Sequence, residues 1–313
     1  MGPLLFLIFL NDIESNIDSD ISLFADDTSL LHIFSKSYVA EKIINSDLLK
    51  LQSWANSWLV KFNPVKTKYM IISNKNPKSS LNILLGGNKI EKVKTLKHLG
   101  IIFSEDFKWK NHIENIVKSA KMKIGALFRT RGTLRRKDKI KLYTAMIRPA
   151  LEYGGVIYDN CTISDSMKLE SVQSFAARVC VGALRQTNYE NLCNELNWQK
   201  LETRRKISKA ILTYKILNSL TPPYLKPNFL FKDSKTSNLR NKSMFVYPKC
   251  RLTSFASSFF PSQSKMFNNL QPETVNSETL SIFRKRISKK YSGQLSGDDH
   301  VAFATLSSYY GKF

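Results

Sequence analysis

Two adjacent acids, Asp26 and Asp27, interrupt an otherwise apolar and β-branched stretch, Ile21 to Ile33, that reads ISLFADDTSLLHI. Short runs of β-branched and aromatic residues on either side of a polar, turn-forming dipeptide are the pattern of a β-hairpin, which puts both carboxylates at its tip. A hairpin tip is a rigid place to hold two carboxylates close together. Paired acids can bind two divalent cations about 4 Å apart, and such a pair clamps the attacking and leaving oxygens of a phosphoryl displacement. An ordinary Asp-Asp turn has the same local pattern, because Asp tolerates turn geometry and hydrogen-bonds its own backbone. The flanking chain has to decide between the two.

Composition narrows the partner. The formal net charge is +23, from 48 Lys and Arg against 25 Asp and Glu, which implies a polyanion. An anionic membrane surface competes with nucleic acid for that role. No apolar run reaches the roughly 18 residues of a spanning helix, and the basic residues are spread over several elements. At 313 residues with 42% apolar content, two or three domains with real cores are expected. Cys161, Cys180, Cys193 and Cys250 form no CxxC pair. They read as reduced thiols of an intracellular protein, nuclear or cytoplasmic, not as a disulfide framework. No Cys and His fall at ligand spacing, so no zinc is expected.

Pro3 to Leu10 mimics the apolar core of a signal peptide, yet it has no basic lead and no small-residue cleavage site, and Asp12 and Glu14 follow at once. A buried helix is the better reading, and the chain is not expected to be secreted. Tyr38 to Val60 carries apolar residues at helical spacing. Thr67 to Ser73, Leu81 to Leu85 and Leu99 to Phe103 read as strands, with Asn74 to Ser80 a loop. Beyond Lys110 helix follows helix: Asn111 to Thr130, Leu134 to Met146, Ser164 to Leu184, Tyr189 to Leu196 and Leu201 to Leu220, the last stopped by Pro222 and Pro223. Pro227 to Pro272 reads as irregular with a β-like run at Met244 to Tyr247, Thr279 to Tyr291 as a basic helix, and Ser292 to Phe313 as a loose tail. Between Asn115 and Ala150 stand eleven basic residues and one acid, Asp138. A solvated face usually mixes signs, so this run points to a phosphate-tracking surface. Arg204, Arg205, Lys206 and Lys209 give a later helix a basic face, while Trp198 reads as a core anchor.

The flanks of the acid pair carry a resemblance. FADD resembles the [YF]xDD box of reverse transcriptases. Gly2 to Ile13 (GPLLFLIFLNDI) looks like the end of the motif that precedes the catalytic hairpin in polymerases of non-LTR retrotransposons, the jockey-like and CR1-like elements. Trp58 to Ser73 (WLVKFNPVKTKYMIIS), with Asn63 to Thr67 at its centre, is similar to the family's next motif. Leu96 to Trp109 (LKHLGIIFSEDFKW) resembles its primer-grip segment, and Leu142 to Tyr158 and Leu196 to Asn218 resemble its thumb and post-thumb regions. These ordered motifs cover nearly the whole chain.

The resemblance implies an α+β fold: an antiparallel palm-subdomain remnant over about 1–108, a basic helical thumb over 109–160, a helical C-terminal domain over 161–225, and an irregular segment with a basic helix over 226–313. It implies RNA-templated DNA synthesis, with two Mg²⁺ ions (or Mn²⁺) held by Asp26 and Asp27 and with Lys66 assisting the departing pyrophosphate. His98 and Gly100 would grip the primer. Lys118, Lys121, Arg129, Arg131, Arg135, Arg136, Lys137, Arg204 and Arg205 would hold the RNA template and the DNA primer or target. The family's fingers and first catalytic aspartate are expected N-terminal to Met1, so the N-terminal half of a polymerase is an implied partner and the chain is expected to be inactive alone. A non-catalytic nucleic-acid-binding remnant is the alternative. A third reading is an unrelated basic helical scaffold with an incidental Asp-Asp turn. Nothing in the sequence sets the oligomeric state.

Overall fold

A computed structural model describes residues 1–73, 80–232 and 244–292. The architecture is α+β, and the chain divides into two compact units, Met1–His112 and Ile113–Phe313.

In the first unit, α1 (Gly2–Phe9) leads to a hairpin of β1 (Asp20–Phe24) and β2 (Asp27–Leu31) and then to the long α2 (Ser37–Ser57). Leu10 and Ile13, which follow α1, are buried with Ala40, Leu48 and Leu51 of α2 and with Ile71, Leu81 and Ile83. The helix α1 itself is not the buried one expected. Leu4 is 60% and Ile8 63% exposed, and only the end of the helix is held, by Phe9 against Trp54 and Trp58 at 5.6 and 5.0 Å. A helix apolar all round needs neighbours on every side to be buried. Here α2 supplies one.

The remaining strands are short: β3 (Lys68–Tyr69), β4 (Leu84–Leu85), β5 (Asn88–Lys89), β6 (Glu91–Lys92), β7 (Thr95–His98) and β8 (Ile101–Ser104). Among the described residues they form separate two-stranded ladders, with β3–β6 parallel and β1–β2, β4–β5 and β7–β8 antiparallel. The stretches Thr67–Ser73 and Leu81–Leu85 are therefore strands only in small part. The reason is visible at Asn82 and Leu84, whose backbone N–H groups donate to Glu41 and Asn45 of α2 at 2.8 and 2.9 Å instead of to a neighbouring strand. Leu99–Phe103 is likewise not one strand. Leu99 (φ 46°) and Gly100 (φ 82°) form the two-residue turn that joins β7 to β8, the left-handed pair that a tight hairpin demands. The expected loop Asn74–Ser80 lies almost wholly outside the described residues.

In the second unit, α3 (Lys110–Arg129), which begins in the first, is followed by α4 (Arg136–Leu142), a π-helical turn (Tyr143–Ile147), α5 (Arg148–Glu152) and α6 (Gly155–Tyr158). Leu134–Met146 is thus not one regular helix. Pro149 has no N–H to donate, and its ring would meet the carbonyl one turn back; widening the preceding turn relieves that clash. Then come α7 (Ile163–Val181), α8 (Tyr189–Leu196) and α9 (Leu201–Leu217), close to where periodicity puts them. Thr162 caps α7 by accepting from the Asp165 N–H at 3.1 Å, and Gly182 (φ 81°) ends it.

Beyond a short 3₁₀ turn at Pro223–Asn228 lie α10 (Thr253–Ala256), α11 (Phe259–Asn268), α12 (Pro272–Val275) and α13 (Leu280–Ser292). The segment Pro227–Pro272 is therefore less irregular than its composition suggests. Phe267 of α11 packs into the same core as Tyr214 of α9 and Phe283 of α13, with Phe283 lying 4.4 Å from Tyr214 and 5.9 Å from Phe267. Met244–Tyr247 contributes an isolated bridge, Phe231 to Phe245. The expected tail beyond Ser292 lies outside the described residues.

Candidate active site and nucleic-acid interface

The acid pair sits at a hairpin tip. In the β1–β2 ladder Phe24 pairs with Asp27, which leaves Ala25 and Asp26 as a two-residue turn. Ala25 has φ 50°, a left-handed conformation that costs a residue with a Cβ about 1–2 kcal/mol. Turn and strand together expose both carboxylates, Asp26 in the turn and Asp27 as the first residue of β2.

Alternate residues of a strand share a face, so Ser29 lies on the face of Asp27. The Ser29 Oγ meets the His98 Nδ1 at 3.5 Å. The structure thus brings the end of β7 to the hairpin, His98 meeting Ser29, which stands two strand residues from Asp27.

Lys66 lies in a separately built loop. The Asn63 Oδ1 accepts from the Val65 and Lys66 N–H groups at 3.0 and 3.2 Å, and the Thr67 hydroxyl donates back to the Asn63 carbonyl at 2.8 Å. Asn, Pro and Thr fold this turn, and Lys66 is left exposed. Among the described residues no hydrogen bond or ion pair joins it to either aspartate. Asp12 accepts from the Trp54 Nε1–H at 2.8 Å. Among the described residues no group of three His, Cys, Asp or Glu side chains is placed to hold a metal ion.

In the second unit, Lys118, Lys121 and Arg129 of α3 and Arg131 just after it are exposed, and among the described residues none pairs with a carboxylate. Arg135 pairs with Asp138 at 2.9 Å and Arg136 with Glu195 at 2.8 Å, both at the surface, beside exposed Lys137. Exposed pairs of this kind contribute about 0–1 kcal/mol.

Arg204 and Arg205 are placed otherwise than a basic face requires. Arg204 forms an ion pair with Glu152. Arg205, 3% exposed, pairs with Asp159 at 3.3 Å and donates to Ser166 at 2.7 Å, while Lys209 meets the same Asp159 at 3.1 Å. These cations hold α9 to α5, α6 and α7 and offer nothing to a phosphate. Trp198 is the core anchor expected, 7% exposed and stacked on Tyr143 at 4.3 Å.

Sequence reasoning missed Lys168, Phe128 and Phe175. Their significance depends on the pairing of α3 with α7, and no local pattern announces which two helices will pair.

The chain is similar to the RNA-directed DNA polymerase from the mobile element jockey of Drosophila melanogaster, with 26% identity over 194 residues, 58% of this chain and 21% of the relative. It is similar also to the probable RNA-directed DNA polymerase from the X-element transposon, at 21% identity over 193 residues, and to that from transposon BS, at 21% over 215 residues, both of the same fly. The matched part spans about a fifth to a quarter of the length of these curated relatives. No family model matches the chain. No solved structure matches it either. In sequence, then, the chain is a homologue of the RNA-directed DNA polymerases of non-LTR retrotransposons.

Proposed function

We propose that the chain contributes the Asp-Asp hairpin and a basic nucleic-acid-holding unit to RNA-templated DNA synthesis, and that alone it binds nucleic acid without extending a primer. The observation that carries this reading is the tight hairpin with two exposed adjacent carboxylates, His98 beside it, in a homologue of such polymerases. The palm assignment of the first unit, and the thumb assignment of α3 to α6, belong to the same proposal.

Adjacent carboxylate oxygens are the hard donors that Mg²⁺ or Mn²⁺ prefers, and those ions keep several waters where the protein supplies few ligands. Asp26 and Asp27 would be the residues to hold them. Bound there, the ions would neutralise charge on the transferring phosphoryl group. Asp26 stands in the turn and Asp27 opens β2, and among the described residues no further His, Cys, Asp or Glu joins the two as a metal-holding group. A further acid, from an element outside the described residues or from another polypeptide, is required to complete the set. Lys66, exposed and free of a carboxylate partner among the described residues, is the proton donor in this reading, and His98 with Gly100 the primer contact.

The test is primer extension on an RNA template with Mg²⁺ and with Mn²⁺, paired with Mn²⁺-induced line broadening of backbone amides. The expected result is no extension by the chain alone and broadening centred on Asp26 and Asp27, abolished in the Asp26→Ala, Asp27→Ala double variant. Extension by the isolated chain that survives in the double variant would sink the assignment. Broadening that does not move when both acids are removed would sink it as well.

A further inference from the structure

A shallow open groove lies between α3 and α7, lined by Glu114, Val117, Lys118, Lys121 and Met122 on one side and by Lys168 and Ser171 on the other. Farther along the same two helices the rings of Phe128 and Phe175 meet at 6.1 Å with 37° between their planes, and they are 40% and 37% exposed. The Arg131 guanidinium lies 4.0 Å from the Phe128 ring centre.

The charges along the groove are uneven. Lys168 is paired with Glu114 at 3.3 Å and with Asp165 at 2.8 Å, so the acids that face the groove are already matched. Lys118, Lys121 and Arg131 have no carboxylate partner among the described residues. Unmatched cations at the groove thus stand on the same helix as Phe128, whose ring carries an aromatic-guanidinium stack farther along.

We propose that this groove seats a short single strand of nucleic acid, with phosphates on Lys118 and Lys121 and a base on the Phe128–Phe175 platform. The inference rests on the reading above that the second unit holds nucleic acid, and adds which strand and where. From Lys118 to Phe128 the helix rises about 15 Å at 1.5 Å per residue. Nucleotides stacked about 3.4 Å apart would span that in roughly four units. A duplex hides its base faces, whereas an open aromatic ring beside a cationic track is how single strands are held without sequence preference.

The experiment measures anisotropy of labelled oligo(U), oligo(dT) and a duplex, each of about twelve nucleotides, on titration with the full chain. Wild type is compared with Phe128→Leu/Phe175→Leu, which keeps apolar volume but removes the flat faces, and with Lys118→Glu/Lys121→Glu. The Leu variant is expected to bind single strands about tenfold more weakly, with an unchanged salt slope and less than a twofold change for duplex. The Glu variant should lower the single-strand salt slope by about 1.4.

Single-strand affinity unchanged in the Leu variant, or lost equally for duplex, would overturn the groove and leave the broader reading standing. Absence of binding by wild type to any of the three at about 50 mM salt would overturn both. Should circular dichroism show the Leu variant unfolded, the Glu variant decides, because both lysines are exposed: an unchanged slope would remove the groove. Oligo(U) against oligo(dT) separates RNA from DNA as the preferred strand.

Discussion

Asp47 is wholly buried beside an apolar core, and what it does there concerns the approach to the acid hairpin. Its two carboxylate oxygens accept from the Asp18 and Ser19 N–H groups at 2.9 and 3.0 Å, pinning the entry of β1 to α2, with Lys50 at 3.5 Å. Burial pushes this carboxyl up, but the hydrogen bonds from Asp18 and Ser19 and the Lys50 charge outweigh it, and the net shift is downward. A group depressed in the fold stabilises it fully above the unfolded pKa, near 4, and loses that contribution as pH falls through the folded value. Asp47→Ala should cost about 2–4 kcal/mol, since it leaves two buried donors unmet. Asp47→Asn should cost less near neutral pH, and the gap between wild type and Asn in urea midpoint should hold above about pH 4 and close as pH falls below it. A gap independent of pH would mean that the carboxylate charge has no part in it. Asp26 and Asp27 were legible from their own neighbours because a two-residue hairpin is a local object. The role of Asp47 was not, since its partners lie 28 and 29 positions back along the chain.

At the scale of elements, α9 begins on a borrowed cap. Glu170 of α7 accepts from the Leu201 and Glu202 N–H groups at 3.2 and 2.7 Å and from the Tyr189 hydroxyl at 2.6 Å. Gln173, one turn on, receives the Tyr143 hydroxyl at 2.7 Å and donates to Tyr189 and to the Gln199 carbonyl, each at 2.9 Å. Burial, with the Glu170 charge behind it, pushes the Tyr189 phenol up, so it stays a donor. Replacing Glu170 by Ala removes a helix cap and a hydroxyl partner together, an expected loss of about 2–3 kcal/mol. Gln at 170 keeps an acceptor and should lose about half as much. Equal denaturation midpoints for the Ala variant and wild type would contradict this. Helices α7, α8 and α9 could be read from period and punctuation, but their joinery could not. The same holds for Arg204 and Arg205: their acids, Glu152 and Asp159, stand 52 and 46 residues away, so a helix face that looks basic in sequence is neutralised in space. The apolar run of α1 was legible as a helix. Its exposure was not, because exposure depends on what packs on it.

For the molecule as a whole the charge sets the expectation. With a net +23 and the cations of α3 without a carboxylate partner among the described residues, nucleic-acid affinity should be steeply salt-dependent. Neutralising about six phosphates predicts a loss on the order of a thousandfold between 50 and 200 mM salt. Charge reversal of Arg135, Arg136 and Lys137 should flatten that slope by about 2–2.7, since their surface partners Asp138 and Glu195 hold Arg135 and Arg136 weakly. A slope untouched by the triple reversal would move the contact surface elsewhere. His112 adds an acid limit: it is buried with its Nδ1 accepting from the Ile102 N–H at 3.3 Å, and burial lowers its pKa. Its neutral form therefore contributes stability above about pH 6.5, and that contribution fades as pH falls through the lowered value.

The stacking of Trp198 on Tyr143 has one more consequence, an optical one. The chain has four indoles. Trp54, Trp58 and Trp109 belong to the first unit, whereas Trp198 stands alone in the second and is shielded from water. Its emission is expected to be that of a dry chromophore pressed against a phenol ring, and the light lost on Trp198→Phe should be the signal of the second unit by itself. One substitution thus turns the intrinsic glow of the chain into two separate channels, through which the melting of each unit can be watched without attaching a dye.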